Sequence, residues 1–445
     1  MSGQLGYRGE ALALLEKAGL SVGDLIRVET SEASFEGYLM PRYELADSLH
    51  IVIKLKNGYN IGISIKKIRS IAKLAEGEKP KYTPPPSLQV NTKLPKVLIL
   101  STGGTIASRI DYRTGGVHPA LTAEDLYASV PEISEVAQVD AEVLFSIFSE
   151  NLRAEHWCKI ADHIYTSIQK GFSGVVVTHG TDTMGYTSAA LSFALRGVPV
   201  PVVFVGAQRS SDRPSSDAAS NLLAAMLVAS SAPFSGVFVA MHAGLSDDVI
   251  AVHHGASVRK NHTSRRDAFQ SINRRPVAYV KDGVIHQIES NLPPRREFSD
   301  DFKPAAKFEE RVALLKFHPN FDPMLIDYLV DKGVKGLVLE GTGLGHVGHY
   351  CYDSIKRAVE RGVLVGMTSQ CIWGRVRMTV YDTGRDLLNL GVVPLDSIFP
   401  EVALVKMMWV LGNSNNLDEA KKLMLTDLVG EMAQRLPVEE KRGFE

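Results

Sequence analysis

Hydrophobic and polar positions change rhythm twice along the 445-residue chain. Residues 6–20 carry apolar side chains at helical spacing and predict a short helix. From Gly23 the runs shorten: DLIRVET, SFEGYLMPR, LHIVIKL and YNIGISI are β-branched and partly alternating, and Asn57-Gly58 is a strong hairpin signal. Together they predict a small all-β unit of four or five strands, a barrel, over residues 1–73. Residues 74–95, with Pro84-Pro85-Pro86, predict an extended, semi-rigid linker.

From Lys96 the rhythm changes again. KVLILST, SGVVVTHG, PVVFVGA and SGVFVAMHAG are nearly continuous apolar runs, separated by the helical stretches TAEDLYASV, TSAALSFALRG and SDAASNLLAAMLVAS. Continuous runs mark strands buried on both faces, hence α/β units with parallel sheets covered by helices. The first unit spans 96–288. Residues 289–310, with Pro293-Pro294, read as a second linker, and 311–445 as a smaller α/β unit. Its helices are expected near 323–332 and 352–361, with a helical tail from 416.

Composition narrows the function classes. A net charge of −1 gives no global nucleic-acid or membrane signature, and no apolar run is long enough to span a bilayer. The N-terminus does not read as a signal peptide. Cys158, Cys351 and Cys371 are too few and too widely spaced for a disulfide framework or a zinc site. His253-His254 has no accompanying H-E-x-x-H, so no metal is expected, and the reducing cytoplasm is the simplest location. One local feature stands apart. Residues 50–73 hold Lys54, Lys56, Lys66, Lys67, Arg69 and Lys73 and no acid. Such a face could touch RNA phosphates, dock a partner, or simply be solvated. No RNP-type aromatic motif accompanies it.

In an open α/β sheet, ligands bind beyond the carboxyl ends of the strands. Those ends carry Ser101-Thr102-Gly103-Gly104-Thr105, then Thr178-His179-Gly180-Thr181-Asp182-Thr183, then Gly206-Ala207-Gln208-Arg209 and His242-Ala243-Gly244. Neither a G-x-G-x-x-G nor a Walker lysine is among them. Taken singly, T-G-G-T reads as a tight turn, Thr-Asp as a helix cap and Lys260 as a solvated lysine. Taken together they suggest acyl transfer. A threonine hydroxyl needs a base, a lysine held by an aspartate can manage the proton, and glycine N–H groups can serve an oxyanion.

The segments STGGTIAS, THGTDTMGYTSAALSF, FVGAQRSSDRPSSDAASNL and VRKNHTSRRDAFQS resemble the L-asparaginase family, from about residue 96 to 425. The resemblance implies Thr105 as first nucleophile, Thr181, Asp182 and Lys260 as a second triad, and Tyr112 on a mobile lid. It also implies Gly104, Ser149, Glu150 and Gly180 around the substrate. Glu150 stands where simple asparaginases tend to have glutamine, which is consistent with glutamine as substrate. EGTGLGHVGHY (340–350) resembles the family's inter-protomer contact segment and implies a homodimer, with His346 close to where simple asparaginases carry asparagine.

Simple asparaginases lack residues 1–95. The N-terminal addition resembles that of the ammonia-releasing components of archaeal tRNA-dependent amidotransferases. This implies a heterotetramer with a partner protein that uses ATP and Mg2+ on Glu-tRNA(Gln), and no cofactor in the present chain. The alternatives are a free asparaginase or glutaminase with an added interaction module, and a scaffold without activity.

Overall fold

A computed structural model describes residues 6–42, 47–55, 60–76, 93–104, 108–110, 117–119, 130–209 and 216–436. The predicted helix TAEDLYASV up to residue 129, the Asn57-Gly58 turn and most of the proline linker lie outside these residues.

The N-terminal unit begins with a helix, Gly9–Lys17, whose Ala11 and Leu15 are buried. Five antiparallel strands follow: β1 (Leu25–Thr30), β2 (Ser34–Leu39), β3 (His50–Leu55), β4 (Asn60–Ser64) and β5 (Ile68–Ala75), in the order β4-β3-β2-β1-β5. Alternation places Ile26, Val28, Leu39, Ile51, Ile53 and Ile63 on one face, where they pack with the helix. The barrel expectation is met only in part. The edge strands β4 and β5 do not pair with each other, so the ladder stays open among the described residues. A 3-10 turn at Ile65–Lys67 links them.

The basic segment of this unit is not a bare cationic face. β5 runs beside β1, and acids from elsewhere in the unit meet its lysines: Lys67 pairs with Glu32 at 3.1 Å and Lys73 with Asp24 at 2.9 Å. Lys54 also has a partner, and Lys56 lies outside the described residues. Lys66 and Arg69 form no ion pair among the described residues.

The second unit is built on an eight-stranded sheet. Its strands are β6 (Lys96–Ser101), β9 (Gln138–Val143), β10 (Gly174–Thr178), β11 (Pro201–Val205), β12 (Gly236–His242), β13 (Val249–His254), β16 (Ala278–Lys281) and β17 (Val284–Gln287). Two short antiparallel pairs stand outside it, β7 (Ser108–Ile110) with β8 (Val117–Pro119) and β14 (Val258–Lys260) with β15 (Phe269–Ser271). The order is β17-β16-β13-β12-β11-β10-β6-β9. The five strands from β9 to β12 are parallel, as their continuous apolar runs predict; β13, β16 and β17 extend the sheet antiparallel, which those runs did not indicate.

Alternate residues of the parallel strands feed two cores. Leu98, Leu100, Val175, Val177 and Phe204 face the helices Ala154–Gln169 and Met184–Ala194, while Val97, Ile99, Val176 and Val203 face the helix Ala218–Ser231. Each such side chain contributes about 1.5–3 kcal/mol by leaving water.

The third unit has four parallel strands, β18 (Val312–Lys316), β19 (Gly336–Gly341), β20 (Leu364–Ser369) and β21 (Val393–Pro394). Helices Met324–Asp331 and Tyr352–Glu360 stand near the expected positions, but among the described residues the tail is helical only over Leu417–Met424. Helix Pro400–Asn413 packs against Met184–Ala194, with Trp409 stacked on Phe193 at 5.9 Å, so one core crosses from the second unit into the third. The segment 289–310 is no loose spacer. Phe302 is buried, Ala305 N donates to Ala194 O at 2.8 Å, and Trp409 Nε1 donates to Ala305 O at 2.7 Å.

Candidate active site

Strand order creates the site. β6 has β9 on one side and β10 on the other, so the chain reverses its winding there and leaves a crevice past the carboxyl ends of β6 and β10. Thr102 staples the two ends. Its N–H and its hydroxyl both donate to Thr178 O, at 3.1 and 2.9 Å. The next two residues must be glycine. Gly103 has φ +119°, and a Cβ there would lie 2.2 Å from Ile147 O; Gly104 has φ +85°, and a Cβ would lie 2.9 Å from Gly180 N. The loop after β6 is thus pressed backbone to backbone against the loop after β10.

The loop after β10 carries the chemistry. Lys260 Nζ, at the end of β14, donates to Thr181 Oγ1 and to Asp182 Oδ1, each at 2.8 Å. The lysine side chain is 13% exposed and that of Asp182 72%. The cation therefore comes from below, out of a largely covered position, and the carboxylate faces solvent above the crevice. With Asp182 so exposed the pair adds little to stability; its worth is in fixing Nζ beside a hydroxyl.

The residues expected around a substrate converge on the same place. Ser149 is buried at the start of the 3-10 turn Ser149–Asn151, and a Cβ on Gly180 would meet its Oγ at 2.8 Å. Thr183 Oγ1 donates to Ser149 O at 2.7 Å and ties that turn to the loop. Glu150 is exposed beside it. Gly104, Ser149, Gly180, Thr181, Asp182 and Lys260 are therefore neighbours in space. Thr105 and Tyr112 lie outside the described residues.

A buried support under the loop escaped sequence reasoning. His179 Nδ1 lies 2.7 Å from Gly180 O, and its Nε2 lies 2.9 Å from Thr187 Oγ1, which accepts from Trp157 Nε1 at 3.2 Å. Nδ1 must carry the proton to meet a carbonyl, so Nε2 accepts from Thr187. Burial pushes this imidazole down to about 4, and it stays neutral. It holds the carbonyl just before Thr181 without adding a charge. Its partner Thr187 and the Trp157 that donates to Thr187 come from two different helices, so no short motif marks it. His253 Nδ1 meets Ser271 Oγ at 2.8 Å inside the sheet, and among the described residues no group of three or more His, Cys, Asp or Glu could hold a metal.

A parallel α/β crevice with a threonine–aspartate–lysine cluster defines an asparaginase-type amidohydrolase body. The asparaginase N-terminal family profile matches residues 96–292, and the glutaminase/asparaginase C-terminal domain profile matches 311–424. The thermostable L-asparaginase of Thermococcus kodakarensis superposes with a TM-score of 0.67 at 31% identity, over 76% of this chain and 99% of that one.

Residues 20–74 match a further profile, the GatD N-terminal domain. The chain belongs to the GatD family of glutamyl-tRNA(Gln) amidotransferase components. It is 49% identical to the family member from Metallosphaera sedula, over 97% of both chains, and 51% identical to that from Pyrococcus abyssi, over 94% of this chain and 96% of the relative.

Proposed function

We propose that this chain is the glutaminase component of a tRNA-dependent amidotransferase, working in the cytoplasm. It releases ammonia from glutamine, and a partner protein, GatE, uses ATP and Mg2+ to activate Glu-tRNA(Gln), which the ammonia converts to Gln-tRNA(Gln). The observation that carries the hydrolytic half is the 2.8 Å reach of Lys260 Nζ to both Thr181 Oγ1 and Asp182 Oδ1 at the switch point of the sheet. The tRNA-linked half rests on the N-terminal unit and on the near full-length match to relatives of that name. A homodimer within a heterotetramer completes the reading.

In this mechanism a threonine oxygen, assigned to Thr105, attacks the γ-carboxamide carbon of glutamine. The C–N bond breaks, ammonia leaves with the proton taken from the hydroxyl, and a γ-glutamyl ester remains on the threonine. Water then hydrolyses the ester. Thr181, Asp182 and Lys260 handle the proton, and Tyr112 assists from the lid. The backbone at Gly104, with Ser149, Glu150 and Gly180, positions the amino acid.

Ammonia release from glutamine and asparagine tests this. The chain is assayed alone, then with GatE, ATP, Mg2+ and Glu-tRNA(Gln). Glutamine turnover should be weak alone and rise with the full mixture, and Thr105→Ala and Thr181→Ala should each cost roughly a thousandfold in kcat. Fast asparagine hydrolysis by the chain alone, unchanged by the other components, would make it a free amidohydrolase. Full turnover in both threonine variants would end the threonine mechanism.

A further inference from the structure

β14 carries two adjacent cations with different destinations. Lys260 reaches Thr181 and Asp182, whereas Arg259 reaches the third unit. Arg259 Nε donates to Glu401 Oε1 at 2.7 Å, and its Nη1 donates to Asn261 Oδ1 at 3.1 Å. Asn261 is itself fixed: its N–H donates to Ala268 O at 2.6 Å and its Nδ2 to Gln270 Oε1 at 3.1 Å. One guanidinium therefore ties the residues on both sides of Lys260 to a single carboxylate 142 positions along the chain.

That carboxylate sits in the first turn of helix Pro400–Asn413 and is only 16% exposed. Its second oxygen, Oε2, is buried with no hydrogen-bond partner among the described residues. An unmet carboxylate oxygen is costly unless the rest of the group is strongly held. Here Arg259 holds it, and the helix N-terminus favours the negative charge. A third group feels the same carboxylate. Tyr186 stands on the helix that begins directly after Thr183, and its phenol is pushed up to about 12, first by burial and then by Glu401, with Arg259 opposing. The helix that follows the Thr181 loop packs against the helix carrying Glu401, and the strand carrying Lys260 reaches Glu401 through Arg259, at the seam between two units.

We infer that Glu401, acting through Arg259, is a positioning residue that sets the approach of Lys260 to Thr181, so that the third unit governs the proton step in the second. This rests on the proposed role of Lys260. Among the described residues, neither Arg259 nor Glu401 bonds to the segments carrying Gly104, Ser149 and Gly180, so the strut should act on the chemical step and leave substrate binding alone.

The experiment uses Glu401→Gln and Arg259→Lys in the full chain, with Lys260→Met as reference, and reads glutamine kcat, KM and the thermal midpoint in the assembled complex. Glu401→Gln keeps the shape but not the charge. Arg259→Lys keeps the charge but cannot bridge Glu401 and Asn261 together. Each should lower kcat about tenfold, read well below the thermal midpoint, with KM within about twofold and the midpoint lowered by only a few degrees, and the double variant should be no worse than the poorer single one. Unchanged kcat in both, or a fall in kcat that tracks KM or the midpoint, overturns the inference. If Lys260→Met is dead while both strut variants equal the parent chain, only this inference fails. If Lys260→Met still turns over, the role of Lys260 fails with it.

Discussion

The N-terminal β unit and the crevice of the second unit use charge in opposite ways. In the β unit, cations that look unopposed along one stretch of sequence are met by acids from elsewhere in the unit, as Lys67 is by Glu32 and Lys73 by Asp24. In the crevice, the Lys260 cation is brought from a separate hairpin onto a hydroxyl and an exposed carboxylate. The first arrangement cancels charge and the second aims it. Particular turns differ in the same sense: the loops after β6 and β10 are pressed against one another, whereas the turns at Gly19 and Gly23 of the β unit have open space around them.

The largest effect should come from filling that compressed space. A Cβ at Gly103 would lie 2.2 Å from Ile147 O with φ at +119°, whereas Gly23, in the β unit, has φ +98° and nothing within 4 Å. Both substitutions to Ala incur the strain of a positive φ, about 1–2 kcal/mol, but only Gly103→Ala must also push the loops apart. Glutamine turnover should fall at least about a hundredfold in Gly103→Ala and stay near the parent level in Gly23→Ala. Equal activity in the two variants would break the comparison.

Acid sharpens it next. His179 and His253 are buried and neutral in the second unit, their imidazoles pushed down to about 4 and about 3 by burial. The β unit has a single histidine, His50, on its surface beside Asp47. A folded-state pKa below the unfolded value gives stability that is complete above about 6.5 and is lost as pH falls, since only the unfolded chain takes the proton. By pH 5 each ring costs about 2 kcal/mol. Trp157, Trp373 and Trp409 all lie beyond the β unit, so tryptophan fluorescence reports on the α/β body. Its urea midpoint should drop between pH 7.5 and pH 5, and His179→Gln should flatten part of that slope. A midpoint indifferent to pH would mean that these rings are not held neutral.

What could be read from sequence follows the same division. The parallel strands were legible because burial on both faces leaves continuous apolar runs, as in Val175-Val176-Val177. The antiparallel turn at β13 was not, since an apolar run carries no direction. Thr181 and Asp182 were legible because they follow a strand end, and Lys260 because it follows a strand-like run among polar residues, in a segment that also resembles the family. His179 was hidden, since its role depends on Thr187 and Trp157 in two separate helices, and Glu401 because its partner is 142 residues away. The acids that meet the basic stretch were hidden for the same reason. Charge on a sheet is a property of neighbouring strands, and a single segment shows only half of each pair.

The smallest expected effect follows from that last point. If the β unit cancels its charge, Lys66 and Arg69 are what the described part of its basic segment offers to phosphates. Removing one cation from an RNA phosphate lowers the salt slope of binding by about 1. Lys66→Gln with Arg69→Gln in the assembled complex should therefore leave tRNA affinity within about twofold at physiological salt and change the slope of log K against log salt by less than about 1. A slope that falls by about 2 would place both residues on the RNA backbone. The β unit would then aim its charge as the crevice does, with its ion pairs serving to orient two cations and not to neutralise a face.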